Sequence, residues 1–258
     1  MNDETTIDEQ DINRWRLSLS EAIKDNEEPV LITTFRRYLT SSARPVFARG
    51  IDKCEYVVKG KQAGRQIITD HIVARLGLAM GSPVGEAQIV EISPDLLEAE
   101  FAFLSPGKAH ATIFIPNCFD DRDTRIYKDH SGNGERFALL SVLFGWVESQ
   151  DEQFIYQKTH PCLVYSVDHG RFFPGGYDWS IETLKSASKA QVNRQLVVSC
   201  ELTNDEISTA LSRLEQVTEE KIIQAVARPP DEWGITMDER IAIVEFLIKR
   251  QYELLEYL

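Results

Sequence analysis

A polar stretch rich in turn-forming residues divides this chain into two parts of different character. It covers residues 117–134 (NCFDDRDTRIYKDHSGNG) and has the composition of a loop between folded units. Short β-branched runs before it predict strands, and longer apolar runs after it predict helices. The chain has 258 residues, enough for two parts of about a hundred residues each. The sequence therefore predicts an α+β fold.

The first part is expected to form an antiparallel sheet with one main helix. Apolar residues have helical spacing at 11–25, before Pro29, and again at 69–79. Runs rich in β-branched and aromatic residues predict four strands, at residues 30–35, 45–49, 54–59 and 84–92. Residues 101–116 show neither pattern clearly.

The second part is expected to be mainly helical. Residues 135–147 are apolar on nearly all sides, which predicts a buried helix, and the runs at 154–156 and 163–167 predict a hairpin. The helical signals that follow are N-caps at Thr203 and Thr218, a break at Pro229-Pro230 and a long amphipathic pattern over 238–258. The expected divisions are an acidic segment with a helix at 1–28, a sheet with a helix at 29–116, and a helix-rich lobe at 117–258.

Composition disfavours several classes of protein. The formal charge of −13 argues against unaided binding to nucleic acid, because such binding depends on Lys and Arg that neutralise phosphates. No apolar run approaches the roughly 18 residues that a membrane span needs. The acidic N-terminus lacks the basic flank and apolar core of a signal peptide, so we expect a cytoplasmic protein. The four cysteines form no CxxC pair, so neither a zinc site nor a disulfide framework is predicted.

A predicted strand that ends on a carboxylate is the sharpest chemical signal in the sequence. Residues 164–176 (VYSVDHGRFFPGG) place Asp168 directly after a β-branched run and before a Pro-Gly-Gly turn. A strand that delivers a carboxylate to a loop can hold a ligand for a divalent cation in place. Asp168 can equally cap the turn that follows it. On these residues alone, both interpretations remain open.

Those residues, together with residues 56–92 (YVVKGKQAGRQIITDHIVARLGLAMGSPVGEAQIVEI), resemble the HipA-like kinase family, distant relatives of the serine/threonine and phosphoinositide kinases. The resemblance extends from Phe35 to the C-terminus. It implies a bilobal protein-kinase-like fold, ATP bound between the lobes, Mg²⁺ as cofactor, and transfer of phosphate to an acceptor. The sequence does not distinguish a protein, an RNA, a lipid or a small metabolite as that acceptor, or identify a protein partner.

The resemblance implies that Lys59, at the end of the third strand, binds nucleotide phosphates and that Asp70 on the following helix steadies it. The family usually has Glu at this place. Because Asp is one methylene shorter, we expect a long or water-bridged contact between Lys59 and Asp70. Lys61 is the alternative lysine if the strand register differs. Without the resemblance, Lys59 is better interpreted as a strand-end lysine whose amine reaches solvent.

The phosphate loop is expected between the first two strands, at Thr40, Ser41 and Ser42. No Gly-rich phosphate motif occurs there or elsewhere in the sequence. Hydroxyl groups and backbone N–H groups would therefore hold the phosphates. The alternative is an ordinary polar turn.

The expected catalytic loop departs from the family pattern. Asp151 has the spacing of the catalytic aspartate after Trp146, but the Arg and the metal-binding Asn that usually follow are missing. Gln153 offers an amide oxygen in place of that Asn, as a second magnesium ligand beside Asp168. The predicted hairpin brings Asp151 and Asp168 to the same end. The two carboxylates can also be solvated turn residues.

Two alternatives to an active kinase remain. The missing Arg and Asn and the shorter Asp70 favour a pseudokinase that binds nucleotide or a protein partner. A plain interaction module requires the resemblance to be superficial. The spacing of His110, His130 and His160 is not that of a metal site, and they are assigned no role. His169 is expected to orient the loop after the strand rather than to titrate in catalysis.

Overall fold

The strand-rich part of the protein is a closed barrel. The structure, a computed structural model, describes residues 8–25, 27–121 and 125–256. Within these residues, five strands close the barrel in the order β1-β2-β3-β5-β4. They are β1 (Val30–Tyr38), β2 (Val46–Gly50), β3 (Glu55–Lys59), β4 (Ala87–Ile92) and β5 (Gly107–Ile113).

The pairing of the barrel strands confirms part of the predicted sheet and corrects another part. Strands β1, β2 and β3 pair antiparallel, as expected. The prediction of an all-antiparallel sheet was wrong, because β1 also pairs parallel with β4, with Val30 opposite Val90. That pair closes the sheet on itself and removes its free edges, which would otherwise expose unpaired backbone groups.

Strand β5 forms where the sequence shows no clear strand pattern. Its residues, GKAHATI, include few of the β-branched and aromatic types that favour strands. It pairs with β4 on one side and β3 on the other, and Ala109 and Ala111 are small enough to point into the barrel core. Tertiary pairing therefore decides the conformation of this segment, rather than local propensity.

Helix α2 (Gln66–Met80) connects the barrel to the rest of the molecule. It covers the predicted helix at 69–79 and begins three residues earlier. The helix is buried on nearly all sides and packs on β4 and β5 as well as on two helices of the second part, α4 (Asn133–Val147) and α8 (Glu219–Ala227). A side chain on α2 can therefore reach the barrel from a fixed position.

The second part contains a small sheet as well as helices. The predicted hairpin is confirmed as β7 (Gln153–Gln157) and β8 (Val164–Val167). Residues 117–134 are not a loop throughout, because β6 (Cys118–Asp120) pairs with β7 and a short helix α3 (Arg125–Lys128) follows. The backbone pairing available at β7 outweighs the polar composition of the segment. The other helices are α5 (Ile181–Lys185), α6 (Arg194–Ser199), α7 (Asn204–Glu215) and α9 (Met237–Leu255).

Side-chain caps begin the C-terminal helices. Thr203 and Thr218 are the N-caps of α7 and α8, as predicted, and Thr236 caps α9. The N-terminal helix α1 (Glu9–Lys24) packs on α8 and α9 and buries Trp15 there, so it adds to the helical core rather than to the barrel. Among the described residues, no helix combines the length and apolar character that crossing a membrane requires.

Candidate functional site

A cavity of about 220 Å³ lies where the barrel meets the β7–β8 hairpin. Its walls are mostly apolar, and its polar groups are concentrated at one set of charged and amide side chains. The lining residues are Leu39, Pro45, Phe47, Val57, Lys59, Asp70, His110, Thr112, Ile113, Phe114, Ile115, Gln153, Ile155, Val167 and Asp168. An apolar pocket with a few convergent polar groups is the usual form of a small-molecule site.

Lys59 stands between two carboxylates at this cavity. Its Nζ donates to Oδ2 of Asp70 at 2.6 Å and to Oδ1 of Asp168 at 2.5 Å. The expectation of a long or water-bridged contact to Asp70 was wrong, because α2 packs close enough to β5 for the shorter side chain to reach the amine directly. Lys61 lies beyond the strand, 3.9 Å from Glu232.

Burial and charge act in opposite directions on this ion-paired group. Burial alone would lower the pKa of Lys59, but the charges of Asp70 and Asp168 outweigh it and raise that pKa above its ordinary value. Burial would raise the pKa of Asp70, yet Lys59, His110 and His169 together hold it well below its usual range. The amine is therefore charged and Asp70 ionised at neutral pH.

Asp168 and Gln153 face the same cavity from the two strands of the hairpin. Asp168 follows β8 with φ 62°, a left-handed conformation that Asp tolerates better than most residues. Gln153 is paired with Val167, the last residue of β8. Among the described residues, no group of three or more His, Cys, Asp and Glu side chains could hold a metal. A divalent ion here would rely on one carboxylate, an amide oxygen and oxygens from a substrate, the way proteins commonly bind Mg²⁺.

Asp151 lies outside the cavity wall. Its side chain is 41% exposed and approaches Nη1 of Arg171 at 3.5 Å. The loop around it is held by Glu152, whose carboxylate accepts hydrogen bonds from Ser149 and Asn193 at 2.7 and 2.6 Å. The structure thus places Asp151 in a loop beside an arginine, outside the cavity wall that Lys59, Asp70 and Asp168 line.

The three residues expected to bind phosphates lie in the turn between β1 and β2. Thr40, Ser41 and Ser42 are exposed there, and none of them lines the cavity. Their neighbours Leu39 and Pro45 do line it and are joined by a backbone hydrogen bond of 2.8 Å. The turn therefore stands at the rim, while its two ends form part of the wall.

Sequence reasoning missed three residues at or near the site. His110, assigned no role, is 1% exposed, lines the cavity and has its Nε2 3.4 Å from Asp70. His71 contacts His110 from α2, with 3.3 Å between the two Nδ1 atoms. Arg171 is the partner of Asp151. A histidine in a weak strand pattern gives no local signal of such a role, and only the pairing of β5 with β3 reveals it.

His169 holds the hairpin end against α2. Its backbone N–H donates to Oδ1 of Asp70 at 3.0 Å, and its Nε2 lies 3.0 Å from Oγ of Ser166. The residue that follows the strand carboxylate is therefore bonded to the same Asp70 that receives Lys59.

A barrel-strand lysine, a helix carboxylate bonded to it and an aspartate after a nearby strand are the arrangement of kinase-like phosphotransferases. The family model for HipA-like kinases matches residues 31–258 of this chain. The chain belongs to the HipA-like kinase family, which confirms the resemblance carried by residues 56–92 and 164–176.

Solved structures similar to this chain share its fold at low sequence identity. The Helicobacter pylori proinflammatory kinase CtkA is 10% identical, with a TM-score of 0.59 over 88% of this chain and 94% of that one. The Golgi casein kinase with Mn and ADP bound is 12% identical, with a TM-score of 0.52 over 98% of this chain and 77% of that one. No curated protein sequence matches at a significant level. These likenesses establish a mixed α/β, kinase-like fold.

Proposed function

We propose that the protein is an ATP-dependent phosphotransferase in which the barrel and the helical part act as the two lobes of a kinase. The observation that carries the proposal is the Lys59 amine, fixed between Asp70 and Asp168 at an apolar cavity. Phosphoryl transfer requires a protein mainly to position the reactants and to balance the charge of the phosphates. In this proposal, Lys59 with its two carboxylates contributes to both.

The walls of the cavity suit the two ends of a nucleotide. Phe47, Val57 and Ile155 offer apolar surface for a purine base. Lys59 offers a charged amine for the α- and β-phosphates. Family membership supports this assignment, and so does the Golgi casein kinase, which has a similar fold and was solved with Mn and ADP bound.

Asp168 and Gln153 would hold Mg²⁺ in this proposal. Both are oxygen donors on the cavity wall, the ligand type that a hard divalent cation prefers. The bound ion would neutralise charge on the phosphate oxygens. Asp168 also accepts from Lys59, so the lysine keeps the carboxylate directed at the cavity.

Asp151 would orient the hydroxyl of the acceptor. Its exposed position at the end of the hairpin leaves it accessible to a molecule that arrives from solvent. Arg171 brings a guanidinium to the same place, which offsets the missing Arg of the family pattern in charge but not in sequence position.

A nucleotide-binding pseudokinase is the second candidate function. The observation that favours it is the contact of Asp151 with Arg171, because a carboxylate held by a cation outside the cavity is less available to a hydroxyl. In that case the protein would bind Mg·ATP through Lys59 and Asp168 and use the bound form to recognise a partner.

Transfer of label from γ-labelled ATP separates the two candidates. The purified protein is incubated with labelled Mg·ATP, alone and with cell lysate, beside Asp151→Asn and the control Asp178→Asn, an exposed aspartate outside the cavity. An active kinase labels itself or an acceptor, loses the label in Asp151→Asn and keeps it in the control. Binding of Mg·ATP without transfer under every condition would establish the pseudokinase instead.

A further inference from the structure

His110 and His71 form a buried pair behind the Lys59–Asp70 contact. His110 lies on β5 directly opposite Lys59 in the strand register, and His71 follows Asp70 on α2. Both side chains are 1% exposed. The Nδ1 atoms of the two rings are 3.3 Å apart, and Nε2 of His110 is 3.4 Å from Oδ2 of Asp70.

The contacts of the two rings select one arrangement of protons. Burial, with the charges of Arg75 and Arg228 nearby, holds the pKa of His71 well below its usual range, so this ring is neutral. Nε2 of His71 is buried and has no hydrogen-bond partner among the described residues. A protonated Nε2 would be an unsatisfied buried donor, which costs more than an unused acceptor. The proton of His71 therefore sits on Nδ1.

That placement fixes the tautomer of His110. Nδ1–H of His71 donates to Nδ1 of His110, so Nδ1 of His110 is the acceptor and its proton lies on Nε2. Nε2 of His110 lies 3.4 Å from Oδ2 of Asp70 and 3.5 Å from the hydroxyl of Thr112, so the carboxylate is the charged acceptor nearest to its proton. The direction of donation runs from His71 through His110 to Asp70.

We propose that His110 is a positioning residue for the nucleotide lysine: its Nε2–H fixes the carboxylate of Asp70, and Asp70 in turn fixes the amine of Lys59 over the cavity. This inference rests on the proposed function. It assigns a role to the buried pair of His110 and His71, which the proposed contacts of Lys59 with ATP do not explain.

The need for a third donor follows from the shape of Asp70. Its Oδ1 receives the backbone N–H of His169, and its Oδ2 receives Lys59. The terminal torsion of an Asp side chain is broad, so the carboxylate turns easily about its last bond. A ring held by two strands and a helix resists that turn, whereas the flexible lysine stem follows it. Without His110, only His169 and the lysine itself would hold this carboxylate, and the Lys59 amine could shift toward Asp168.

The tautomers provide a test that does not depend on kinase activity. In protein with ¹⁵N-labelled histidine, long-range nitrogen–proton correlation spectra distinguish a protonated ring nitrogen from an unprotonated one. We expect Nδ1–H on His71 and Nε2–H on His110, with the signals assigned from His71→Leu and His110→Leu. A proton on Nδ1 of His110 in the neutral ring would overturn the inference.

Substitutions at position 110 test what the bond is used for. His110→Leu removes the donor, His110→Gln places an amide nitrogen three bonds from Cβ like Nε2, and His110→Asn places it two bonds away like Nδ1. We expect the Kd for Mg·ATP to rise about tenfold in Leu and Asn and to recover in Gln, because a displaced Lys59 amine loses about one charge-assisted bond to the phosphates. The Kd for adenosine, which has no phosphates for Lys59, should stay the same in all three.

The control for loss of a buried polar group is Thr69→Val. Thr69 precedes Asp70 on α2, is fully buried, and its hydroxyl has no hydrogen-bond partner among the described residues. This variant should bind Mg·ATP as the wild type does. A parallel loss of ATP and adenosine affinity in His110→Leu, or no loss, would overturn the role of His110. A wild type without affinity for Mg·ATP would overturn the proposed function itself.

Discussion

At the centre of the site, the Lys59 amine donates to two carboxylates, and these contacts determine the charge state of the group. Lys59 and Asp70 are both nearly inaccessible, with side chains 6% and 4% exposed, while the side chain of Asp168 is 31% exposed. Lys59 and Asp70 therefore form a buried ion pair, and separating them would leave two unpaired charges in the interior. Asp168 is the member of the three that can turn toward a ligand.

Replacing Asp168 by Asn should separate nucleotide binding from folding. We expect the Kd for Mg·ATP to rise at least about tenfold, because the site loses the carboxylate proposed to bind the cation. The melting temperature of the free protein should change little, since the Asn oxygen still accepts from Lys59, Asp70 keeps the countercharge, and Asn tolerates the left-handed backbone at this position.

Calorimetric melting and titration with Mg·ATP, on Asp168→Asn and on the exposed control Asp178→Asn, measure both quantities. If Asp168 only caps its turn, the variant would keep both its stability and its affinity, because Asn caps as well as Asp does. That result would remove Asp168 from the proposed metal site.

Asp70 should make the protein sensitive to acid. Its pKa is well below the ordinary value of 3.8 in the folded state, so its contribution to stability is fully present above pH 3.8 and is lost as the pH falls toward the folded value. We expect Asp70→Asn to be about 3 kcal/mol less stable than the wild type at pH 7. The difference in stability between Asp70→Asn and the wild type should become smaller below pH 3.8.

Urea unfolding at pH 7 and at several values below pH 4 gives this comparison. Thr69→Val on the same helix is the matched control, and its difference from the wild type should not depend on pH. If the difference in unfolding free energy between Asp70→Asn and the wild type is the same at every pH, the neighbours of Asp70 do not lower its pKa in the folded protein.

Single residues of the site were predictable where chain order and family resemblance carried them. The sequence places Lys59, Asp70 and Asp168 in the order that a kinase site needs, and the structure brings these three together. The sequence gives no sign of the roles of His110 and Arg171, because their partners are distant in sequence and lie on other elements. The distance from Asp70 to Lys59 was misjudged because it depends on how closely α2 packs, which side-chain length alone does not reveal.

At the scale of elements, a buried arginine on α9 holds the end of α4 from which the Asp151 loop departs. Arg250 donates to the backbone oxygens of Trp146, Gly145 and Ser188, each at 2.7 Å, and contacts Glu148 at 3.1 Å. The last carbonyl groups of a helix have no partners within it, so the guanidinium satisfies them in the core.

Arg250→Met should destabilise the protein by roughly 3 kcal/mol or more, because it leaves several buried carbonyl oxygens without donors. Arg250→Lys should recover only part of this loss, since a single amine cannot reach all the acceptors that the planar guanidinium spans. Chemical denaturation measures both, with Lys249→Met, an exposed neighbour on α9, as control. Equal stability of Arg250→Lys and the wild type would contradict the capping role.

Elements with a strong local pattern were predicted well, and those formed by tertiary pairing were not. The helix at 135–147 follows from its long apolar run, and the β7–β8 hairpin follows from β-propensity. Strands β5 and β6 form because partner strands offer hydrogen bonds to segments with weak propensity. Closure of the barrel by the parallel pair of β1 and β4 is a non-local event that no single stretch of sequence encodes.

At the scale of the whole molecule, the cavity lies between two parts that each have an apolar core. One core fills the barrel, with residues such as Ile32 and Val58, and the other joins α2 to the C-terminal helices, with residues such as Ile72 and Trp146. The cavity takes Val57 and Phe47 from the barrel and Ile155 and Val167 from the hairpin. A ligand that fills it contacts both parts and therefore stabilises their arrangement.

Mg·ATP should accordingly raise the melting temperature of the whole protein. A ligand that binds only the folded state adds RT ln(1 + [L]/Kd), about 2.7 kcal/mol at a hundredfold excess over Kd. Because residues of both the barrel and the hairpin line the cavity, we expect one cooperative transition that moves upward, rather than a shift of one part alone. Differential scanning calorimetry with millimolar Mg·ATP, with ATP and chelator, and with Mg²⁺ alone measures the effect. The largest shift should require ATP and Mg²⁺ together and should shrink in Asp168→Asn. A melting temperature that Mg·ATP leaves unchanged would contradict both the active kinase and the nucleotide-binding pseudokinase, because each depends on the same occupied cavity.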